Sequence, residues 1–168
     1  MPATGAIGYR MTDQFASDHP EGDPTATELV VGLQVTAGLL LAQLDRVLRA
    51  HGLSTGSFNV LQVLAAHDER LTPSQISEMM PVPVTTATMT GVLDTLERRN
   101  LVARHPHPTD RRRVLIELTP EGAKLLEDVI PGVLEREKAW TEPLSAGSRR
   151  QITSGLAALQ DHLRTLGR

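Results

Sequence analysis

The sequence predicts a mainly α-helical fold with one small β-hairpin, a winged helix-turn-helix carried between flanking dimerisation helices. Three observations carry that expectation. Leucine and valine recur at three-, four- and seven-residue steps over long stretches, the spacing of one helix face. Two short segments opened by Thr72 and Thr85 are separated by Pro81-Val82-Pro83, through which a helix cannot continue. Beyond them, Leu101-Val102-Ala103-Arg104 and the alternating Val114-Leu115-Ile116-Glu117-Leu118 flank a polar loop and read as a hairpin.

Taken in order, residues 1–26 are rich in Gly, Pro, Ser, Thr and Asp and are expected to form a flexible tail ahead of a single domain at 27–168. From Thr27, the spacing of Leu29, Leu33, Leu40, Leu44 and Val47 predicts a long helix over 27–51 that stops at His51-Gly52. A shorter helix from about Ser57 carries Phe58, Leu61 and Leu64 on one face. Leu71-Thr72-Pro73 opens the next, with Thr as cap and Pro at the first helical position, and it runs from Ser74 to about Met80. Thr85 caps a helix through Met89, Val92, Leu93 and Leu96 that ends at Arg99-Asn100, where Asn suits a left-handed cap. His105 to Arg113 is the polar loop of the hairpin.

Thr119-Pro120-Glu121 opens another helix, with Pro131 inside it expected to impose a kink. Ser145 caps the last, where Ile152, Leu156, Leu159, Leu163 and Leu166 alternate steps of four and three, a coiled-coil-like seam. That seam, together with Leu29 and Leu33, is too long for a core of this size to cover. A homodimer is therefore expected, with 27–51 and 119–168 as dimerisation helices around a winged helix-turn-helix at 57–118.

Composition narrows the function classes. The 168 residues contain no cysteine, which excludes disulfides, thiolate metal sites and thiol-based redox switching. One Trp, one Tyr and two Phe leave the core to aliphatic side chains. The N-terminus lacks the basic start and apolar run of a signal peptide, and Leu29 to Leu48 is interrupted by polar residues. A soluble cytoplasmic protein with no membrane partner is expected.

The net charge of −3 argues against nucleic acid only on average. Residues 98–113 hold Arg98, Arg99, Arg104, Arg111, Arg112 and Arg113 against one acid, Asp110, so this stretch is +5 and the remainder −8. A basic hairpin beside a helix-turn-helix is the footprint of phosphate contact, and double-stranded DNA is the expected partner.

The segment LTPSQISEMMPVPVTTATMTGVLDTLERRNLVARHPHPTDRRRVLIELTPEGAKLLE, from Leu71 to Glu127, resembles the multiple antibiotic resistance regulator (MarR) family. The run TDRRRVLIELTPEG after LERRNLV carries the likeness; the flanking helices match by pattern only. The resemblance implies a homodimeric transcriptional repressor or activator on a pseudo-palindromic operator, with repression the expected sense. It places Thr85, Thr86, Thr88 and Thr90 on or beside the DNA face of the recognition helix, with Met89, Val92, Leu93 and Leu96 facing inward. Arg112, with Arg111 and Arg113, matches the wing, and Asp110 orients those arginines. Gly91 departs from the family by standing where many members carry a basic residue, Pro83 by standing where a Gly is common, and His107 by replacing an acid.

The resemblance further implies release by a small lipophilic or phenolic ligand. No cofactor is expected. His105 and His107 have no third ligand near them in sequence, and no metal spacing emerges elsewhere. Neither a nucleophile elbow, a phosphate loop nor a carboxylate pair is present, so a small enzyme is disfavoured. The alternative is a winged helix used as a protein-interaction module, against which the Arg111-Arg112-Arg113 run weighs.

Overall fold

Asp23, well before Thr27, caps the start of the long helix of the N-terminal half. In the computed structural model, which describes residues 17–82, 84–110 and 112–166, Asp23 Oδ1 accepts hydrogen bonds from the Thr25 and Ala26 amides at 2.8 and 3.3 Å. Pro24 takes the first helical position, so α1 spans Pro24–Arg49. Residues 24–26, expected in a tail, are thus its first turn; residues 1–16 lie outside the described residues. Gly52 closes α1 at φ +66°, and the Leu53 amide returns to the Leu48 carbonyl at 3.0 Å.

Ser54 caps α2, Thr55–Ala65, which begins two residues before the expected Ser57. Phe58, Val60, Leu61 and Leu64 bury it nearly all round, making it the central helix. Thr72 and Gln75 form a reciprocal capping box on α3, Pro73–Met79. Thr85 caps α4, Thr86–Arg98, as expected, and Asn100 ends it at φ 56°. Met89, Leu93 and Leu96 of α4 are buried, and Val92 packs against them. Pro83 of the intervening turn lies outside the described residues.

The hairpin pairs β1, Val102–Pro106, antiparallel with β2, Val114–Leu118, in a register from Val102 opposite Leu118 to Pro106 opposite Val114. His105 and Pro106, expected in the loop, therefore belong to the strand. A bridge from Leu71 to Ile116 ties the hairpin to the entrance of α3. Thr119 caps α5, Pro120–Trp140, and its hydroxyl also donates to the Asn100 carbonyl at 2.7 Å. The first turn of α5 lies directly on the residue after α4: a Cβ at Gly122 would fall 2.1 Å from the Leu101 carbonyl oxygen, so only glycine fits. Ser145 caps α6, Ala146–Leu166.

The core of Leu48, Leu61, Leu71, Ile76, Leu93, Leu96, Ile116 and Val129 draws on both α1 and α5 as well as the winged lobe. The outer faces of the long helices stay open. Leu29, Leu39, Ile152 and Leu163 are each about half exposed, and α6 has no buried residue. By length and composition α1 is apolar enough to cross a membrane, with a mean hydropathy of 1.5 over an 18-residue window of which none is buried. The polar residues noted in the sequence do not lower it below that mark, because the charged ones stand at its ends.

Candidate nucleic-acid interface

The short α3 and its turn present α4 with its first two turns outward. Thr85, Thr86, Thr88 and Thr90 are all exposed. Thr85 has the capping role first: its hydroxyl oxygen accepts the Thr88 amide at 3.2 Å and lies 2.9 Å from the Thr88 hydroxyl. Thr90 donates to the Thr86 carbonyl at 3.0 Å. Gly91 faces open space, so the departure at this position leaves the outer face of α4 low and smooth.

The turn at the tip of the wing is shaped by hydrogen bonds to backbone amides rather than by charge pairing. Asp110 accepts the Arg112 amide on its carboxylate and the Arg113 amide on its carbonyl, each at 3.0 Å. The carboxylate thus shapes the turn and leaves the guanidinium groups alone. Arg112 and Arg113 are exposed and form no ion pair among the described residues. Arg111 lies outside the described residues.

The other arginines of the basic stretch are committed elsewhere. Arg104 bonds to Asp94 at 2.7 Å and Glu97 at 3.2 Å, both on α4. Arg99 donates to the His51 carbonyl at 3.1 Å and to that of Gly52, at the C-terminal end of α1, where the helix dipole favours a cation. Arg98 bonds the Thr95 hydroxyl at 3.1 Å. Counting charge over residues 98–113 alone missed this, because acids just outside that stretch, Asp94 and Glu97, fold back onto Arg104. Glu117 lies 2.6 Å from His105 Nε2 and 3.0 Å from Arg70. His105 therefore stands on a strand beside a carboxylate rather than in a loop. Among the described residues, no group of three or more His, Asp or Glu is placed to hold a metal ion.

Behind α4 lies a cavity of about 420 Å³ between α1, α2 and the turn that leads into α4, walled chiefly by Leu41, Met80, Val82 and Val84. The expected dimer residues lie apart from it. Leu29 and Leu33 are on α1, and Ile152, Leu156, Leu159 and Leu163 run along one side of α6 with partial or full exposure.

Comparison with known proteins agrees with this architecture. A family model described as MarR family matches residues 51–113. The transcriptional repressor YetL of Bacillus subtilis is 31% identical over 156 residues, covering 92% of this chain and 92% of YetL. MepR of S. aureus in complex with DNA superposes with a TM-score of 0.71 at 25% identity, covering 79% of this chain and 96% of MepR. Bordetella bronchiseptica BpsR, whose DNA binding is regulated by 6-hydroxynicotinic acid, superposes with a TM-score of 0.69 at 26% identity, covering 77% and 90%. A winged helix-turn-helix with an open recognition helix, and 31% identity to a repressor along 92% of the chain, place this chain in the MarR family of DNA-binding transcriptional regulators.

Proposed function

We propose that the chain acts in the cytoplasm as a homodimeric repressor on a two-fold symmetric operator, and that a small organic ligand releases it. The observation that carries this reading is the pairing of an open α4 face with the two unpaired wing cations, Arg112 and Arg113. Threonine hydroxyls and methyls contact phosphates, base edges and the thymine methyl, while wing arginines suit the narrow minor groove. Thr85, Thr86, Thr88 and Thr90, with Arg111, Arg112 and Arg113, form the DNA face. Asp110 orients the wing through its backbone bonds.

The winged lobe, residues 57–118, is borne by the dimerisation segments 27–51 and 119–168. Their apolar residues need cover, and a groove of about 530 Å³ between α1 and α5, lined by Leu40, Leu44, Leu134 and Trp140, adds to that open area. A second copy would close it and set the two recognition helices about one helical turn apart, ~10 bp. The cavity behind α4 suits the ligand, since it adjoins the turn that positions α4. BpsR, whose DNA binding is regulated by 6-hydroxynicotinic acid, supports regulation by a small organic molecule.

The test is a gel shift of the full chain on the DNA upstream of its own gene, followed by selection from a random duplex library. A symmetric site is expected, and Thr86→Ala or Thr90→Ala should change the preferred bases at fixed positions within it. A chain that enriches no sequence over non-specific DNA is not a sequence-specific regulator.

A further inference from the structure

We infer that α4 selects its half-site through the C5-methyl groups of thymine, with no hydrogen bond to guanine in the major groove, and that Thr90 reads with its methyl rather than its hydroxyl. This deepens the DNA-binding reading proposed above and rests on it.

A recognition helix meets base edges with the exposed residues of its N-terminal turns. On α4 these are Thr86, Ala87, Thr88, Thr90 and Gly91. None carries a cation, a carboxamide or an acid. The bidentate pairings that read guanine with Arg or Lys, and adenine with Asn or Gln, are therefore absent from this part of the helix. Met89 and Leu93 face the core, so the helical period turns Ala87 and Gly91 to the opposite side, where a groove is entered most deeply. Ala87 presents a methyl there, and open space beyond Gly91 leaves room for a base methyl beside it. The one cation of α4 is Arg98, in its last turn, and it is bonded to the Thr95 hydroxyl at 3.1 Å.

The hydroxyl groups point the same way. Thr90 gives its only hydroxyl proton to the Thr86 carbonyl at 3.0 Å. Its oxygen can still accept but not donate, and its methyl is the group left to face the groove. The Thr85 and Thr88 hydroxyls bond each other at 2.9 Å, and Thr85 also takes the Thr88 amide at 3.2 Å. Thr86 has a hydroxyl bonded to no other described residue. In the major groove guanine offers only the acceptors N7 and O6, which a hydroxyl without a spare proton cannot meet. An A·T pair offers an amino donor and a methyl instead. Glu78 of α3 lines one hollow with Thr86 and Thr90, is exposed, and forms no ion pair among the described residues. Its carboxylate adds a further acceptor on that side and opposes the guanine edge.

The experiment uses the full chain and the symmetric site selected from a random duplex library. Each thymine of the half-site is replaced in turn by deoxyuridine, which removes the C5-methyl and leaves the hydrogen-bonding groups in place. Anisotropy titration at fixed salt is expected to show a roughly fourfold loss of affinity for each contacted methyl, the equivalent of about 0.8 kcal/mol for one buried carbon. Thr90→Ser keeps the hydroxyl and removes the methyl, and should make thymine and uracil equivalent at one position of the half-site. Thr90→Val keeps the methyl and should preserve the difference. Guanines replaced by 7-deazaguanine, which lacks the N7 acceptor, should leave affinity unchanged. Equal binding of thymine and uracil at every position would overturn the inference while leaving the regulator reading intact. So would a Thr90→Ser variant that discriminates like the parent, or a tenfold loss with 7-deazaguanine. A chain that selects no site loses both readings.

Discussion

Arg104 on the first wing strand donates to the Asp94 carboxylate of the recognition helix at 2.7 Å, and its other terminal nitrogen reaches Glu97 at 3.2 Å. One guanidinium thus fastens the wing to the helix beside it. Arg104 and Arg112 should consequently fail in different ways. Arg104→Ala should lower stability by up to about 1 kcal/mol, since all three partners are partly exposed. It should also weaken DNA binding by loosening the wing, without changing the dependence on salt. Arg112→Ala should weaken binding to every sequence and reduce the slope of log affinity against log salt by about one. Titrations across a salt series measure both. An unchanged slope for the Arg112 variant removes the wing from DNA contact.

The open seam on α6 gives the second prediction. Leu163 is 54% exposed, and Leu159 lies one turn before it. If a second copy covers this surface, sedimentation at micromolar concentration should find no stable 18.3 kDa species. Leu159→Asp or Leu163→Asp should then lower dimerisation and DNA binding together, because each would desolvate a carboxylate in an apolar seam. A monomer that still binds a symmetric site with full affinity would sink the dimer reading.

Asp23 provides a pH-dependent contact. Hydrogen bonds from the Thr25 hydroxyl, then from the Ala26 and Thr25 amides, hold its carboxyl below the usual aspartate range. A depressed carboxyl stabilises the fold above its unfolded value and loses that contribution as pH falls through the folded one. The first turn of α1 should therefore fray in acid, below the ordinary aspartate range, and stay capped at neutral pH. Amide exchange at Thr25 and Ala26 measures this, and Asp23→Ala should speed it at neutral pH. Equal protection in the variant would show that the cap contributes nothing.

The glycines at 91 and 122 should respond in opposite senses to the same methyl group. At Gly91 a Cβ meets nothing within 4 Å, so Gly91→Ala should stabilise α4 by about 1 kcal/mol. At Gly122 it would collide with the Leu101 carbonyl, and Gly122→Ala should destabilise by several times that amount, on the order of 3 kcal/mol or more, as forced overpacking does. Urea unfolding of the two variants gives the comparison, and similar midpoints would contradict the packing described.

The parts of the fold governed by neighbours along the chain are legible in the amino-acid sequence alone. Thr72, Thr85, Thr119 and Ser145 cap the helices that their spacing predicts, because a cap needs only a side-chain oxygen and an amide three residues on. Asp23-Pro24 is a signal of the same kind, hidden by the surrounding Gly and Pro. His105 reads as a loop residue because the prolines near it resemble turn formers, whereas Pro106 ends an edge strand that needs no donor there.

What sequence could not supply was the meeting of distant residues. Arg99 finds carbonyls 47 and 48 positions away, and Arg104 and Glu117 find partners that no local pattern links to them.

Gly122 also has a mechanical meaning. With the Thr119 amide on the Leu101 carbonyl and the Thr119 hydroxyl on that of Asn100, the end of α4, the foot of the wing and the start of α5 are clamped at a single point. Such a joint does not slide, so the reading head is a rigid lever with α5 as its arm. Compliance must then sit farther along the arm. Pro131, which withholds a backbone donor, and Gly132, which adds freedom, stand together about one-half of the way along α5. A twist at that pair would turn the head as one piece and leave the joint at Gly122 intact.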